Sequence, residues 1–326
     1  MKTSATLPKQ TDSAGQRTAR AAARKLRRAG RALIQYKYLY MLLIPFLLWY
    51  VLFMVRPLYF LQIAFKDYSL FKGVAESPWC GFKHFTDFFQ SPYFGRLLSN
   101  TLIINIYGIV FGFTTPIILA LMLNEVRKVW FKKAVQTITY IPYFISVVVV
   151  AGMVNTMLSP NTGVVNLILE KLGGQSVYFM TKKEWFRAIY TIMNIWIQTG
   201  FGTVVYIAAL SSIDQQLYEA CVIDGGGKWR QLLHITIPGI LPTIMTMLIM
   251  KIGSLLDVGY ESIILLYQPV TYETADVINT YVYRMGIEKG KYDISVAIGL
   301  FNSVIALILV MSANKLSNKM TNTGLW

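Results

Sequence analysis

The chain has 326 residues, 55% hydrophobic and only 14% charged, with 31 Lys and Arg against 16 Asp and Glu for a formal charge of +15. Ordinary globular chains carry about 25% charged residues. A mean hydropathy of +0.47 together with long apolar runs therefore excludes a soluble single domain and points to an integral membrane protein.

The first element is a basic tail over residues 1–37. It is polar to about Gln16, and then RTARAAARKLRRAGRALIQ places Arg17, Arg20, Arg24, Arg27 and Arg31 on one broad helical face, opposite Ala22, Leu26, Ala29 and Leu33. Two readings stay open: an interfacial amphipathic helix on the anionic inner leaflet, or a disordered basic tail that fixes topology. Nucleic-acid binding is disfavoured, because the arginines run straight into a span and carry no reader module. No A-x-A cleavage site follows Val55, so the first span reads as an uncleaved anchor.

Six stretches then reach or approach the roughly 20 residues needed to cross a hydrocarbon core: 38–55, 101–123, 134–158, 188–210, 239–256 and 294–313. In lipid each must be helical, so the fold class expected is an all-α polytopic membrane protein with six transmembrane helices. The tail to Lys37 and the segments 124–133, 211–238 and 314–326 together hold 18 Lys and Arg and 5 acids; the other three connections hold 12 and 11. The positive-inside rule puts the first set, and both termini, in the cytoplasm. Cys80 and His84 then fall outside, Cys221 and His234 inside, and from this arithmetic neither a disulfide, a zinc site nor a Cys/His catalytic pair is expected. No phosphate-binding loop of the form GxxxxGK[ST] and no GxSxG elbow occurs either, so the chain is not expected to be an enzyme.

The connection SSIDQQLYEACVIDGGGKWRQLLHITIPGILP, residues 211–242, is the most informative. Ser212 with Gln215 reads as a capping box, and Ile213, Leu217, Ala220 and Cys221 as one apolar helical face. Gly225, Gly226 and Gly227 break the helix and open backbone conformations closed to other residues. A second amphipathic turn with Trp229, Leu232 and Leu233 precedes Pro238 and Pro242, which are expected to open the fifth span. Such a unit cannot bury its apolar faces alone and calls for a cytoplasmic partner.

These residues resemble the EAA loop of permease subunits of binding-protein-dependent ABC importers, whose pattern is roughly E-A-A-x-x-D-G-A and, about nine residues on, I-x-L-P. Glu219, Ala220, Asp224, Gly225, Ile235 and Pro238 stand at that spacing, with Ile237 at the Leu position; Cys221 and Gly226 depart from it and are both small. The likeness covers residues 38–326 and is similar to the carbohydrate-uptake, MalF-like branch. AFKDYSLFKG, LLYQPVTYETADVINTYVYRMG and the ending GLW carry a narrower likeness to permeases for oligosaccharides and polysaccharide fragments such as alginate.

The resemblance implies a bacterial cytoplasmic membrane, a second permease subunit of a different chain, two cytoplasmic ATPase subunits carrying ATP and Mg, and an extracytoplasmic solute-binding protein, with no cofactor in this chain. It implies that the loop is the coupling helix seated in an ATPase cleft. Glu219 would make the polar contact, Ala220 and Cys221 would permit close approach, Gly225 would make the turn, and Leu217, Asp224 and Trp229 would complete the contact. The rival is a stand-alone ion-coupled secondary transporter, which would usually show internal repeats and broken helices around an ion site; no clear repeat is present.

For the substrate path, polar groups at mid-membrane depth are the candidates. Counting about 1.5 Å per residue puts Gln198, Lys251 and Asn302 near the bilayer middle. Asn194 lies one turn from Gln198, and Trp196 and Tyr260 offer planes on which sugar rings could stack. Amides suit a neutral sugar and Lys251 an acidic one. The alternatives are that the amides bridge helices and that Lys251 pairs with a carboxylate of the partner permease.

Overall fold

The computed structural model describes residues 35–321 and 324, so the reading of the amino tail lies almost wholly outside the described residues. The chain divides into two compact units, 1–61 and 62–326. Helix α1 (Lys37–Phe65) supplies most of the described part of the first and runs four residues past its boundary. None of its residues from Lys37 to Tyr50 is buried, a surface suited to lipid or to another chain.

The second unit runs through α2 (Lys83–Gln90), α3 (Phe94–Glu125), α4 (Val129–Phe144), α5 (Val147–Met157), α6 (Val164–Lys171), α7 (Lys183–Ser211), α8 (Gln215–Ile223), α9 (Lys228–Gly253), α10 (Tyr260–Leu266), α11 (Tyr272–Ala275), α12 (Ile278–Tyr283) and α13 (Tyr292–Thr321). Among the described residues the extended chain makes a single isolated bridge, Lys66 to Trp79.

Five of these helices, α1, α3, α7, α9 and α13, are long and apolar enough to cross a membrane. The sixth expected span, 134–158, is not one helix: α4 and α5 meet at 100°. Proline explains the break. Pro142 lies buried in a tight turn over Ile141–Phe144, Ile145 is extended, and Ser146 restarts the helix by accepting the Val148 N–H. A proline lacks the N–H a continuing helix needs and clashes with the preceding turn, while a serine cap satisfies the first orphan donors of the next helix.

Prolines shape the other spans more gently. Widened π-turns over Val51–Val55, Gly108–Phe113 and Leu232–Thr236 precede Pro57, Pro116 and Pro238. Such turns make room for the pyrrolidine ring without ending the helix. This corrects the expected start of the fifth span. Pro238 and Pro242 do not open it; α9 already begins at Lys228 and passes through both.

Helix α7 is the hub, packing on α3, α4, α9 and α11. Where it crosses α4, a Cβ at Gly200 would overlap the Thr139 backbone, the close approach that small residues permit between membrane helices. Buried side chains gather in three clusters: Ile104, Val150, Phe186 and Ile263 with neighbours around the Lys183 half of α7; Phe88, Leu97, Ile278 and Ile298 between α2, α3, α12 and α13; and Ala120, Tyr206, Leu210 and Ile240 beside the Ser211 end.

Candidate functional site

At the Ser211 end the chain turns into α8. The cap is Asp214, whose Oδ1 accepts the Gln216 N–H at 2.9 Å, and not the expected Ser212, whose hydroxyl donates back to the Ala209 carbonyl at 2.7 Å. Ile213 consequently sits before the helix and packs inward on the Leu210 and Ile240 cluster, so the expected four-residue apolar face is split. Leu217 and Ala220 stay exposed and Cys221 is half-buried. Gly225 adopts a φ of +74°, the left-handed conformation that glycine takes without strain, and Gly226 lies so near Cys221 that a side chain there would overlap the sulfur. Trp229 lies in the first turn of α9, and the Tyr218 and Thr236 hydroxyls, 3.1 Å apart, hold α8 against that helix.

Ile223, Trp229 and Leu217 are 85%, 77% and 53% exposed. Glu219 lines a groove of about 570 Å³ with Tyr218, Val222 and Ile223, and Lys228 closes one side through a 2.9 Å ion pair to Glu125 of α3. No ion pair to Glu219 occurs among the described residues. Val222 and Ile223 were missed by the sequence reading because they fall outside the face it drew from Ile213.

Two cavities lie along the membrane helices. One, of about 540 Å³, is lined by Asn194 and Gln198 of α7, Lys251 of α9, and also Asn105, Thr191 and Asp257. Gln198 Nε2 donates to Asn194 Oδ1 at 3.4 Å. The other, of about 840 Å³, is lined by Tyr260, Asn302, Asn279 and Tyr283, with the Tyr260 and Tyr283 rings stacked at 5.7 Å. Met250, Ser254 and Asp257 belong to both, so the break after α9 forms a shared wall.

The structure thus separates the candidates into Asn194, Gln198 and Lys251 in one cavity and Tyr260 and Asn302 in the other. Trp196 lines neither and is 45% exposed. The depth argument for Lys251 also changes: α9 ends at Gly253, so Lys251 stands in its last turn, where a cation complements the helix dipole. Thr191 was legible as the residue one turn before Asn194. Asp257 was not, because the span was drawn to Leu256 and the acid counted with the connection.

At the Lys183 end of α7 an ionic cluster joins α7, α3 and the connection 257–293. The fully buried Asp276 accepts both arms of Arg284, Nη1 at 2.9 Å and Nη2 at 2.8 Å, with Arg96 Nη2 at 3.1 Å and the Thr280 hydroxyl at 2.8 Å. Asn100 Nδ2 donates to the Glu273 and Asp276 carbonyls, both at 3.0 Å, while its Oδ1 accepts Arg187 Nη2 at 2.8 Å. Lys183 pairs with Glu273 at 2.6 Å. Burial works against the Arg284 charge, but the hydrogen bonds and field of Asp276 outweigh it and hold the guanidinium above its ordinary pKa.

Contrary to the expectation from counting, a Cys/His contact does form. Cys80 Sγ lies 3.3 Å from His84 Nε2, which donates to the Lys66 carbonyl at 2.9 Å and stands 3.6 Å from Asp293. The sidedness argument separated Cys80 from Cys221 but left Cys80 and His84 together, four residues apart. Burial, helped by the charge of Asp67, pushes the Cys80 thiol pKa up, the opposite of what a nucleophilic cysteine requires. The contact is a tie between the 66–84 segment and the start of α13. No group of three or more His, Cys, Asp or Glu placed to hold a metal occurs among the described residues.

Residues 112–322 match the family described as binding-protein-dependent transport system inner membrane component. Protein LplB of Bacillus subtilis (strain 168) is 43% identical over 295 residues, 90% of this chain and 93% of LplB. The polygalacturonan/rhamnogalacturonan transport system permease protein YteP of the same strain is 42% identical over 294 residues, 90% of this chain and 92% of YteP. A chain in the crystal structure of a bacterial ABC transporter involved in the import of the acidic polysaccharide alginate superposes with a TM-score of 0.84 at 48% identity, over 90% of this chain and 99% of that one. A chain of the bacterial alginate ABC transporter solved with its alginate pentasaccharide-bound periplasmic protein gives the same values.

Proposed function

Because the chain belongs to the binding-protein-dependent transport system inner membrane components, we propose that it is the permease subunit of an ATP-driven importer of oligosaccharides cut from a polysaccharide, working by alternating access. Family membership removes the ion-coupled secondary transporter as a rival. In this reading both termini face the bacterial cytoplasm, the bent α4 and α5 pair supplies the sixth span, and ATP and Mg are bound by two separate ATPase subunits. A second permease chain completes the pore and a solute-binding protein delivers the sugar.

The observation that carries this reading is the 211–238 loop: a glycine-made turn at Gly225 beside a Glu219 that has no ion pair among the described residues, and the exposed side chains of Leu217, Ile223 and Trp229. An exposed apolar patch rimmed by polar groups marks an interaction site. Docked in an ATPase cleft, it would transmit closure through α9, which is continuous with the loop from Lys228, and so to the cavity that Lys251 lines. Asn194 and Gln198 would meet sugar hydroxyls there, and Tyr260 on Tyr283 would offer a ring face in the second cavity.

The test is reconstitution of the whole complex in vesicles with ATP and sugar-loaded binding protein. Glu219→Lys, which reverses the charge offered to the ATPase, should cut uptake by about tenfold or more while the permease still inserts and pairs with its second subunit. Full uptake by an assembled Glu219→Lys complex would remove the loop from the coupling path.

A further inference from the structure

Four cations gather at the Lys183 end of α7, and three are matched by acids: Arg96 and Arg284 by Asp276, and Lys183 by Glu273. Arg187 is not. Among the described residues it forms no ion pair; its Nη2 meets only the neutral Asn100 oxygen, and its Nε, like that of Arg96, is buried with no hydrogen bond. A buried donor left unmade is costly, so its persistence is a feature to be explained.

Its place supplies the explanation. Thr191, Asn194 and Gln198 follow Arg187 at i+4, i+7 and i+11, on one face of α7, and all three line the 540 Å³ cavity. The guanidinium-bearing residue therefore stands about 6 Å along the helix axis beyond the first of them. Arg187 itself stands outside the cavity lining; the cation within it is Lys251, and between the two the α7 face offers only a hydroxyl and amides. Asp257 is the one acid in that lining.

We infer that Arg187 is a specificity-determining residue that reads the carboxylate of a uronic-acid sugar as it enters the cavity. The inference rests on the cavity being the sugar's path, as proposed above. A carboxylate leaving water needs a charged partner, and the planar guanidinium fork matches it through two parallel N–H donors. The uronate oxygens replace the Asn100 contact and satisfy the idle Nε. Sugar hydroxyls then pair with Thr191, Asn194 and Gln198 while Lys251 receives the next negative charge as a point cation. A neutral sugar offers Arg187 hydroxyl acceptors but no opposite charge to compensate its desolvation.

The test uses the purified whole complex, without ATP or binding protein, and two probes of equal length: an oligogalacturonate and the neutral oligosaccharide made by reducing its carboxyl groups. Binding of each is followed by saturation-transfer NMR. The parent complex should favour the acidic sugar, and Arg187→Gln should lower the acidic-to-neutral affinity ratio by about tenfold or more. Arg187→Lys, which keeps the charge and loses the fork, should fall between. Equal weakening of both sugars would make Arg187 a structural support for Asn100 and overturn the inference, as would a parent with no acidic preference or an unchanged ratio in Arg187→Gln. If Arg187→Gln fails to assemble, the parent's preference and the Arg187→Lys ratio decide alone. The Glu219→Lys uptake result is independent of all these outcomes, so the permease reading stands or falls separately.

Discussion

At the Lys183 end of α7 a carboxylate with no exposed surface holds two guanidinium groups, a threonine hydroxyl donates to the same carboxylate, and an asparagine ties the backbone of the 257–293 connection to α3. At the Ser211 end of the same 29-residue helix, Ile223 and Trp229 face outward at 85% and 77% exposure and Glu219 has no ion pair among the described residues. The first end matches its buried carboxylate within the chain and leaves only Arg187 without an acid. The second leaves apolar surface and a charge uncovered, and only a partner can satisfy them. In the proposed reading the subunit uses both: a braced end that keeps its shape while sugar arrives, and an incomplete end through which an ATPase would move it.

The sharpest way to break this contrast is Asp276→Asn. Removing one partner of a buried ion pair leaves its guanidinium groups uncompensated and costs about 3 kcal/mol or more. The variant should insert poorly and lose thermal stability in detergent, measured by the temperature at which the purified complex aggregates. A variant as stable as the parent would mean that the cluster braces nothing.

The next effect is smaller in stability and larger in function. Gly225→Val forces a β-branched side chain into φ +74°, at a cost of about 1 to 2 kcal/mol, and the loop should relax to another turn. ATPase stimulation by loaded binding protein should fall several-fold while membrane insertion and stability stay near the parent's. Preserved stimulation would show that the turn geometry is not what the ATPase reads.

The smallest perturbation changes no function and asks only about sides. A cysteine at Leu172, 83% exposed, should react quickly with a membrane-impermeant maleimide applied from outside, and Cys221 should not react. Cys80 should react slowly at neutral pH and faster only as the pH rises beyond the ordinary thiol range, since burial raises its pKa. Fast labelling of Cys221 in sealed cells would invert the topology and with it the assignment of the two ends.

The long apolar runs made the helical membrane class legible, because a bilayer allows few backbone solutions and their lengths are written in composition. The Glu219 to Pro238 spacing was equally legible, since a glycine turn between short helices is a local property; Gly225 has the conformation its sequence position suggests. What the sequence left open is where prolines break a helix and where they only widen it. Pro142 ends α4, whereas Pro116 and Pro238 sit within continuous spans. That difference depends on what packs around each turn. The same holds for the site. Asn194 and Gln198 could be placed on one face by counting, but the separation of Tyr260 and Asn302 into a second cavity, and the sharing of Asp276 by Arg96 and Arg284 across 180 and 8 residues of chain, follow from how α3, α7, α9 and α13 pack. Periodicity fixes which side chains share a helix face. Only tertiary packing decides which faces meet, and therefore which charges find partners and which, like Arg187, are left to bind something else.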